Sequence, residues 1–242
     1  KPFPLPVSGV PSRAAAKVGS AQIRNLATLG GNLCLDTRCW YYHQSQFWRQ
    51  SRPACYKSGG DVCHVVKGSA EKRRCFAVYS GDTAPLLMAM GAEVKLAGSG
   101  GERRVQLVEI FSGDSLCPNA LEGDELITEI IIPPPALGSG VAYVKLRLRE
   151  EVDFPILGVA AAVTMADGVP SGAKVVLNAV ASSPLEVTGA GEIPSIEELA
   201  EAARKTAHPL ANTVGTPEYR RRMVPLLVKQ ALSEAMAEAG TA

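Results

Sequence analysis

Apolar positions change period several times along this chain, and the changes mark its elements. Ala14, Ala15, Ala16 and Val18 follow Pro11, which suits a first helical turn, so a helix is predicted over 11–20. A second helix is predicted over 83–90, with Pro85 inside its first turn. Residues 92–97 alternate apolar and polar, as a half-buried strand does. Gly98-Ser99-Gly100-Gly101 then turns the chain into a partner strand at 103–107. A further strand at 127–132 is stopped by Pro133-Pro134-Pro135, and 133–140 is a linker by composition. Beyond the linker, 141–149 alternates, with Val141, Tyr143, Lys145, Arg147 and Arg149 on one face. Residues 157–165 and 173–181 are predicted to pair as a hairpin around 166–172. Ser195 is placed to cap an amphipathic helix over 196–207. Thr216, Pro217 and Glu218 supply a cap, a first-turn proline and an N-terminal acid for a last helix ending near Ala239. In that helix the run Tyr219-Arg220-Arg221-Arg222 reads as a solvated face.

Composition narrows the classes. Hydrophobic residues are 46% of the 242 and charged residues 20%, which excludes a disordered chain and a highly charged coiled coil. Lys plus Arg is 25 against 24 Asp plus Glu, so no global basic field recruits nucleic acid. Apolar runs such as 130–132 and 159–163 are far shorter than the roughly 20 residues of a membrane span. The stretch from Lys1 to Pro6 lacks the apolar core of a signal peptide, and the expectation is a cytoplasmic protein. No G-x-S-x-G or H-E-x-x-H marks a self-contained hydrolase.

The cysteines change the picture. Cys39, Cys55, Cys63 and Cys75 share one polar, basic, loop-like stretch, with Cys34 just before it and Cys117 well after. A chain of this size needs no disulfide staples to hold a core. A long loop that builds no core yet carries four thiols points to a metal or cluster organising it. Structural zinc favours C-x2-C pairs, and none occurs; the gaps are 16, 8 and 12 positions. Iron–sulfur clusters tolerate wider spacings. Trp40, Tyr41, Tyr42, Phe47, Trp48 and Tyr56 would wall such a cluster from water. Arg38, Arg49, Arg52, Lys57, Lys72, Arg73 and Arg74 would offset its charge. The residues favour a cluster over zinc and leave both open. His43 and His64 read as solvated hydrogen-bonding groups, and Cys34 and Cys117 as structural thiols.

A glycine pair precedes the cysteines, in the run Ile23-Arg24-Asn25-Leu26-Ala27-Thr28-Leu29-Gly30-Gly31-Asn32. Paired glycines let backbone amides approach an anion closely. The run I-R-N-x-A-T-L-G-G-N resembles the flavin-contacting loop of the FAD subunits of molybdenum hydroxylases, of the xanthine dehydrogenase and carbon monoxide dehydrogenase types. Ser80-Gly81-Asp82 through Pro85 is similar to that family's S-x-D-x-x-P segment. Gly123 through Pro133 resembles its strand with an apolar residue, here Ile127, against the isoalloxazine region. Tyr143-Val144-Lys145 resembles its Y-x-K strand. The resemblance runs the length of the chain. It implies an α+β fold: a carbon monoxide dehydrogenase flavoprotein-like FAD-binding part over 1–137, then a small antiparallel sheet with helices over 138–242. It places FAD at Thr28, Leu29, Gly30, Gly31, Asn32, Asp82, Ile127 and Lys145. The family's A-G-G-T-like pyrophosphate loop has no counterpart here, so only part of that FAD site is expected.

The insertion over about 34–76 is similar to the 4-hydroxybenzoyl-CoA reductase branch of the family. That likeness implies a [4Fe-4S] cluster on Cys39, Cys55, Cys63 and Cys75. It further implies a molybdopterin-binding large subunit, a small subunit with two [2Fe-2S] clusters, and a dimer of such heterotrimers. Electrons from a ferredoxin-type donor would pass through the cluster and FAD toward reductive dehydroxylation of 4-hydroxybenzoyl-CoA, with no catalytic residue on this chain. An oxidative flavin subunit of another molybdenum hydroxylase and a zinc-stapled scaffold are the competing expectations.

Overall fold

The structure is a computed structural model, and it describes residues 10–68, 73–187 and 195–240. Short helices open the chain: α1 (Val10–Ala16), α2 (Ala21–Leu26), α3 (Leu29–Leu33) and α4 (Gln46–Gln50). The helix expected over 11–20 therefore stops early. Gly19 turns the chain at φ 47°, and Ser20 caps α2 by accepting the Ile23 amide. After α5 (Ala84–Ala89), strands β1 (Glu93–Gly98), β2 (Gly101–Gln106) and β3 (Leu126–Ile131) form an antiparallel sheet in the order β2-β1-β3. The expected turn at Ser99-Gly100 joins the first two.

A second antiparallel sheet runs β4 (Ser139–Leu146), β5 (Leu157–Ala166), β6 (Val169–Asn178) and β7 (Leu185–Glu186) in sequence order. The hairpin loop expected over 166–172 is instead a two-residue turn. Asp167 and Gly168 both take positive φ, 52° and 77°, the twist that suits a tight hairpin, so both strands extend to meet it. Strand β4 begins two residues before the expected Val141 and ends at Leu146, short of Arg147 and Arg149. Helices α6 (Ile196–Thr206) and α7 (Pro217–Ala239) start where predicted. Ser195 and Glu198 form a reciprocal capping box, and Thr216 caps α7 by accepting the Tyr219 amide.

The β4–β7 sheet is buried on both faces. Ala142, Val144, Val159, Ala161, Val163, Val175 and Leu177 pack under α6 and α7, against Leu199, Ala203, Val224, Val228, Ala231 and Leu232. The opposite face, through Tyr143, Ala160 and Val176, shares a core with Leu33, Tyr79, α5, Val94 and Leu96. Small residues let α7 come close. A Cβ on Gly140 would lie 2.1 Å from the Ala235 carbonyl oxygen.

That contact sets a test. Gly140→Ala must push α7 from the sheet and should cost about 1–3 kcal/mol in chemical denaturation, the range for overpacking. Gly172→Ala on β6 meets nothing nearer than 4.0 Å and should stay within about 0.5 kcal/mol of the parent chain.

Candidate functional site

The T-x-G-G-N run is not an open loop but the start of α3. Thr28 Oγ1 accepts the Gly31 amide at 3.0 Å, and Gly30 packs on Ile127, which its Cβ would meet at 3.6 Å. Asn32 points inward. Its Oδ1 accepts from the Thr83 amide (3.1 Å) and hydroxyl (2.7 Å), tying the run to the S-x-D segment. A cleft of about 440 Å³ opens beside them. Thr28, Leu29, Asn32 and Thr83 line it, with Ala15, Val18, Arg24 and Ala27 from α1, α2 and the segments that follow them. Leu26 and Leu29 stand exposed near it.

Asp82 and Lys145 do not line this cleft. They form an ion pair behind it, 2.8 Å apart, with side chains 5% and 1% exposed. Tyr143 donates its hydroxyl to the other Asp82 oxygen at 2.9 Å, and Lys145 also donates to the Lys17 carbonyl at 2.8 Å. Burial pushes the Asp82 carboxyl up and the Lys145 ammonium down, while each partner opposes the other's shift. The sequence-predicted flavin residues thus divide. Thr28, Leu29 and Asn32 face the cleft, Gly30 and Ile127 pack against each other, and Asp82 and Lys145 brace the segment that ends in Thr83. Lys17 and Tyr143 were not singled out by sequence as partners of this brace, because no spacing rule brings residues so far apart together.

The four cysteines of the insertion converge. Cys39, Cys55, Cys63 and Cys75 all line one small cavity, with Tyr41, Tyr42, Tyr56, Lys57, His64, Phe76 and Ala77. Two short ladders make this happen. Arg38 and Val78 exchange backbone hydrogen bonds of 2.7 Å each way, which sets Cys39 beside Ala77. The Tyr56 amide donates to the Val62 carbonyl at 2.9 Å, which sets Cys55 near Cys63. Gly60 closes this second turn so tightly that a Cβ there would fall 1.8 Å from the Ala54 carbonyl oxygen.

Amides point at the sulfurs. The Val66 amide donates to Cys63 Sγ at 3.4 Å, Tyr41 and Tyr42 amides serve Cys39, and the Ala77 amide serves Cys75. Burial pushes the Cys75 thiol up to about 11; the Ala77 amide and then Lys57 pull against it. Burial likewise raises Cys39, with the neighbouring Cys55 and Cys63 adding to it. Lys57 is itself held by Asp36 (2.5 Å), Thr37 Oγ1 (2.8 Å) and the Ser115 carbonyl (2.9 Å). Among the described residues no group of three or more His, Cys, Asp or Glu side chains is arranged to hold a metal ion. The thiols surround a shared space rather than one point.

Several expectations are corrected. Trp40 and Phe47 do not wall the cavity; they are exposed, Phe47 at 87%. Phe76, overlooked in the sequence, takes part in the wall instead. Trp48 does not line the cavity either; its ring centroid lies 6.2 Å from that of the wall residue Tyr41, and the Arg52 guanidinium is 3.6 Å from its ring centroid. Cys117 is exposed rather than a buried structural thiol, and Cys34 is half-buried. His64 is a hydrogen-bonding group as read, its Nε2 2.9 Å from the Pro53 carbonyl. Lys72 lies outside the described residues. Arg220 is the clearest correction: within a run expected to face solvent, it is fully buried. A larger groove, about 610 Å³, runs along the linker and β4–β6, and holds none of the sequence-predicted site residues.

Both halves of the chain match known families. Residues 5–135 match the family of FAD binding domains in molybdopterin dehydrogenase, and residues 142–235 match the CO dehydrogenase flavoprotein C-terminal domain. The chain belongs to the FAD-binding subunit family of the molybdenum hydroxylases. It is 29% identical over 239 residues to the aldehyde oxidoreductase FAD-binding subunit PaoB of Escherichia coli, covering 94% of this chain and 70% of that one. It is 31% identical over 166 residues to the carbon monoxide dehydrogenase medium chain of Afipia carboxidovorans, covering 65% of this chain and 57% of that one. In structure it resembles the carbon monoxide dehydrogenase of Hydrogenophaga pseudoflava, with a TM-score of 0.73 over 98% of this chain and 70% of that one at 23% identity. Among the described residues no helix is long and apolar enough to cross a membrane.

The buried ion pair yields a prediction. Lys145→Met leaves the Asp82 carboxylate buried and uncompensated and should cost about 3–5 kcal/mol. Adding Asp82→Asn removes the lone charge, keeps an acceptor for Tyr143, and should recover most of the loss in urea denaturation. The single variant has a carboxyl whose pKa is raised in the folded state. It binds a proton there that the unfolded chain has released, so its stability should rise as pH falls toward the ordinary carboxylate range.

Proposed function

We propose that this chain is the electron-transfer subunit of a molybdenum-containing reductase, holding FAD in the Thr28–Asn32 cleft and a [4Fe-4S] cluster on Cys39, Cys55, Cys63 and Cys75. The observation that carries this reading is the convergence of those four thiols, and not Cys34 or Cys117, on one cavity. The donor set fits: four sulfurs, amides directed at them, aromatic walls and a single buried ammonium from Lys57. The flavin cleft also fits, with apolar walls, the polar Thr28, Asn32 and Thr83, and Arg24 near an anionic ligand. Carriers of this kind supply stepwise electron transfer. The chain's own residues position them. Lys57 lowers the cost of negative charge in the cavity, Tyr41, Tyr42, Tyr56 and Phe76 limit water, and Gly30 packed on Ile127 shapes the flavin face.

The partners would be a molybdopterin-binding large subunit and a [2Fe-2S] small subunit, in a dimer of heterotrimers fed by a ferredoxin-type donor. On the large subunit, two electrons and two protons would break the phenolic C–O bond of 4-hydroxybenzoyl-CoA, releasing water and benzoyl-CoA. A second reading has support from the relatives, whose names describe dehydrogenases of carbon monoxide and nicotinate and an aldehyde oxidoreductase. In it the same subunit drains electrons outward from an oxidised substrate.

Anaerobically purified chain should carry about four irons and four sulfides, with a broad visible band that dithionite bleaches. Cys63→Ser should lose the band, whereas Cys34→Ser and Cys117→Ser keep it. A colourless chain holding one zinc would overturn the cluster. In the intact complex, turnover of 4-hydroxybenzoyl-CoA with a low-potential donor separates the reductive reading from the oxidative one.

A further inference from the structure

A single residue of the C-terminal half bridges both stems of the cysteine cavity. Asn212 lies in the connection between α6 and α7. Its backbone carbonyl accepts the Trp40 amide at 2.9 Å, directly after Cys39. Its side-chain Nδ2 donates to the Phe76 carbonyl at 2.5 Å, directly after Cys75. Asn212 is buried, and its Oδ1 has no partner among the described residues. An unsatisfied buried acceptor is costly. The side chain's described bond is therefore the one to Phe76.

Arg220, in the first turn of α7, holds this connection in place. It is fully buried, and the partners it contacts are carbonyls, with no carboxylate among its described bonds. It donates to the Leu210 carbonyl at 2.9 Å, the Ile156 carbonyl at 3.1 Å and the Ala179 carbonyl. Ile156 precedes β5 and Ala179 follows β6, so the guanidinium fixes the Leu210–Asn212 segment to the ends of the central hairpin. A buried guanidinium without a counter-charge is expensive to desolvate. Here that cost is offset by joining three chain segments at once.

We propose that Asn212, held by Arg220, is a positioning residue that sets the spacing of Cys39 and Cys75 across the cluster cavity. The proposal rests on the cluster reading above. Without the Asn212 amide, the Phe76 carbonyl loses its donor, and the position of the Cys75 stem rests on the Arg38–Val78 ladder and on the bonds of Cys75 to Asp114, Ser115 and Ser182, none of which reaches Phe76. The expected consequence is a cluster that assembles but sits in a distorted, more labile ligand set, because groups that orient ligands typically change metal affinity about 10–100-fold.

The experiment uses the full chain, loaded and handled anaerobically. Asn212→Asp keeps the shape and removes the donor; Asn212→Ala removes the side chain. Val228→Ala, on the core face of α7, destabilises the fold without touching the cavity. Both Asn212 variants should still take up iron, show altered or broadened resonance of the dithionite-reduced cluster, and release iron to a chelator roughly tenfold faster than the parent. Val228→Ala, at equal loss of thermal stability, should keep the parent resonance and release rate. Asn212 variants with parent spectrum and release would overturn the positioning role while leaving the cluster intact. Equal acceleration in Val228→Ala, without a spectral change in the Asn212 variants, would do the same. A parent chain that takes up no iron would overturn the cluster reading itself.

Discussion

The dry ion pair between Lys145 and Asp82 is the contact on which the Thr28–Asn32 cleft depends. Neither group reaches water, so each needs the other. Lys145 comes from β4 in the C-terminal half and Asp82 from the segment before α5, and the pair fixes one against the other. Thr83 follows Asp82 directly, and through its two bonds to Asn32 it sets α3. The cleft wall at Thr28 and Leu29 is therefore placed by a strand more than a hundred residues away. Asp82 and Lys145 thus act on the cleft through Thr83 and Asn32. A charge buried at a brace also resists slippage: a shifted register would strand it.

The cysteine cavity is built on a different principle. Its loop has little regular structure, so its shape comes from two short backbone ladders and from anchors outside it. Arg38 pairs with Val78, Cys55 with Val62, and the Cys75 amide donates to Asp114 Oδ1 at 3.0 Å. Lys57 is pinned by three acceptors before it faces the thiols. Burial raises the Cys39 and Cys75 thiols above the ordinary thiol range.

Sequence periodicity was a good guide wherever one face of an element met a core. The caps at Ser195 and Thr216, the β1–β2 hairpin and α7 follow directly from local rules, because caps, turns and amphipathic stripes are local interactions. The grouping of Cys39, Cys55, Cys63 and Cys75 was legible from their shared polar setting. What local rules missed are long-range contacts. Phe76 outranks Trp40 and Phe47 as a wall residue because it follows Cys75 toward the buried spine, while the Trp40 side chain, just after Cys39, and that of Phe47 on α4 are exposed. Arg220 sits in a run of three arginines, and only the carbonyls of Ile156, Ala179 and Leu210, gathered by tertiary folding, mark which one turns inward. The double burial of the β4–β7 sheet was equally hidden, since Tyr143 and Lys145 look like an outward polar face until Asp82 is placed opposite them.

One stretch of chain connects both sites. From Cys75 the backbone runs through Phe76, Val78 and Tyr79 to Asp82 and Thr83, buried from Ala77 onward. Tyr79 is fixed at both ends, its amide to the Ala181 carbonyl at 3.0 Å and its hydroxyl to the Asn32 and Leu33 carbonyls at 3.1 Å. Eight residue steps of extended chain reach at most about 30 Å, so Cys75 and Thr83 on the cleft wall cannot drift farther apart than that. Anchors from the C-terminal half grip this spine along its length: Asn212 at Phe76, Ala181 at Tyr79, Asn178 at Gly81, and Tyr143 with Lys145 at Asp82. The relay of carriers proposed above would need fixed separations more than reactive side chains. The buried spine would supply that fixity, and the C-terminal sheet and helices grip it along its length.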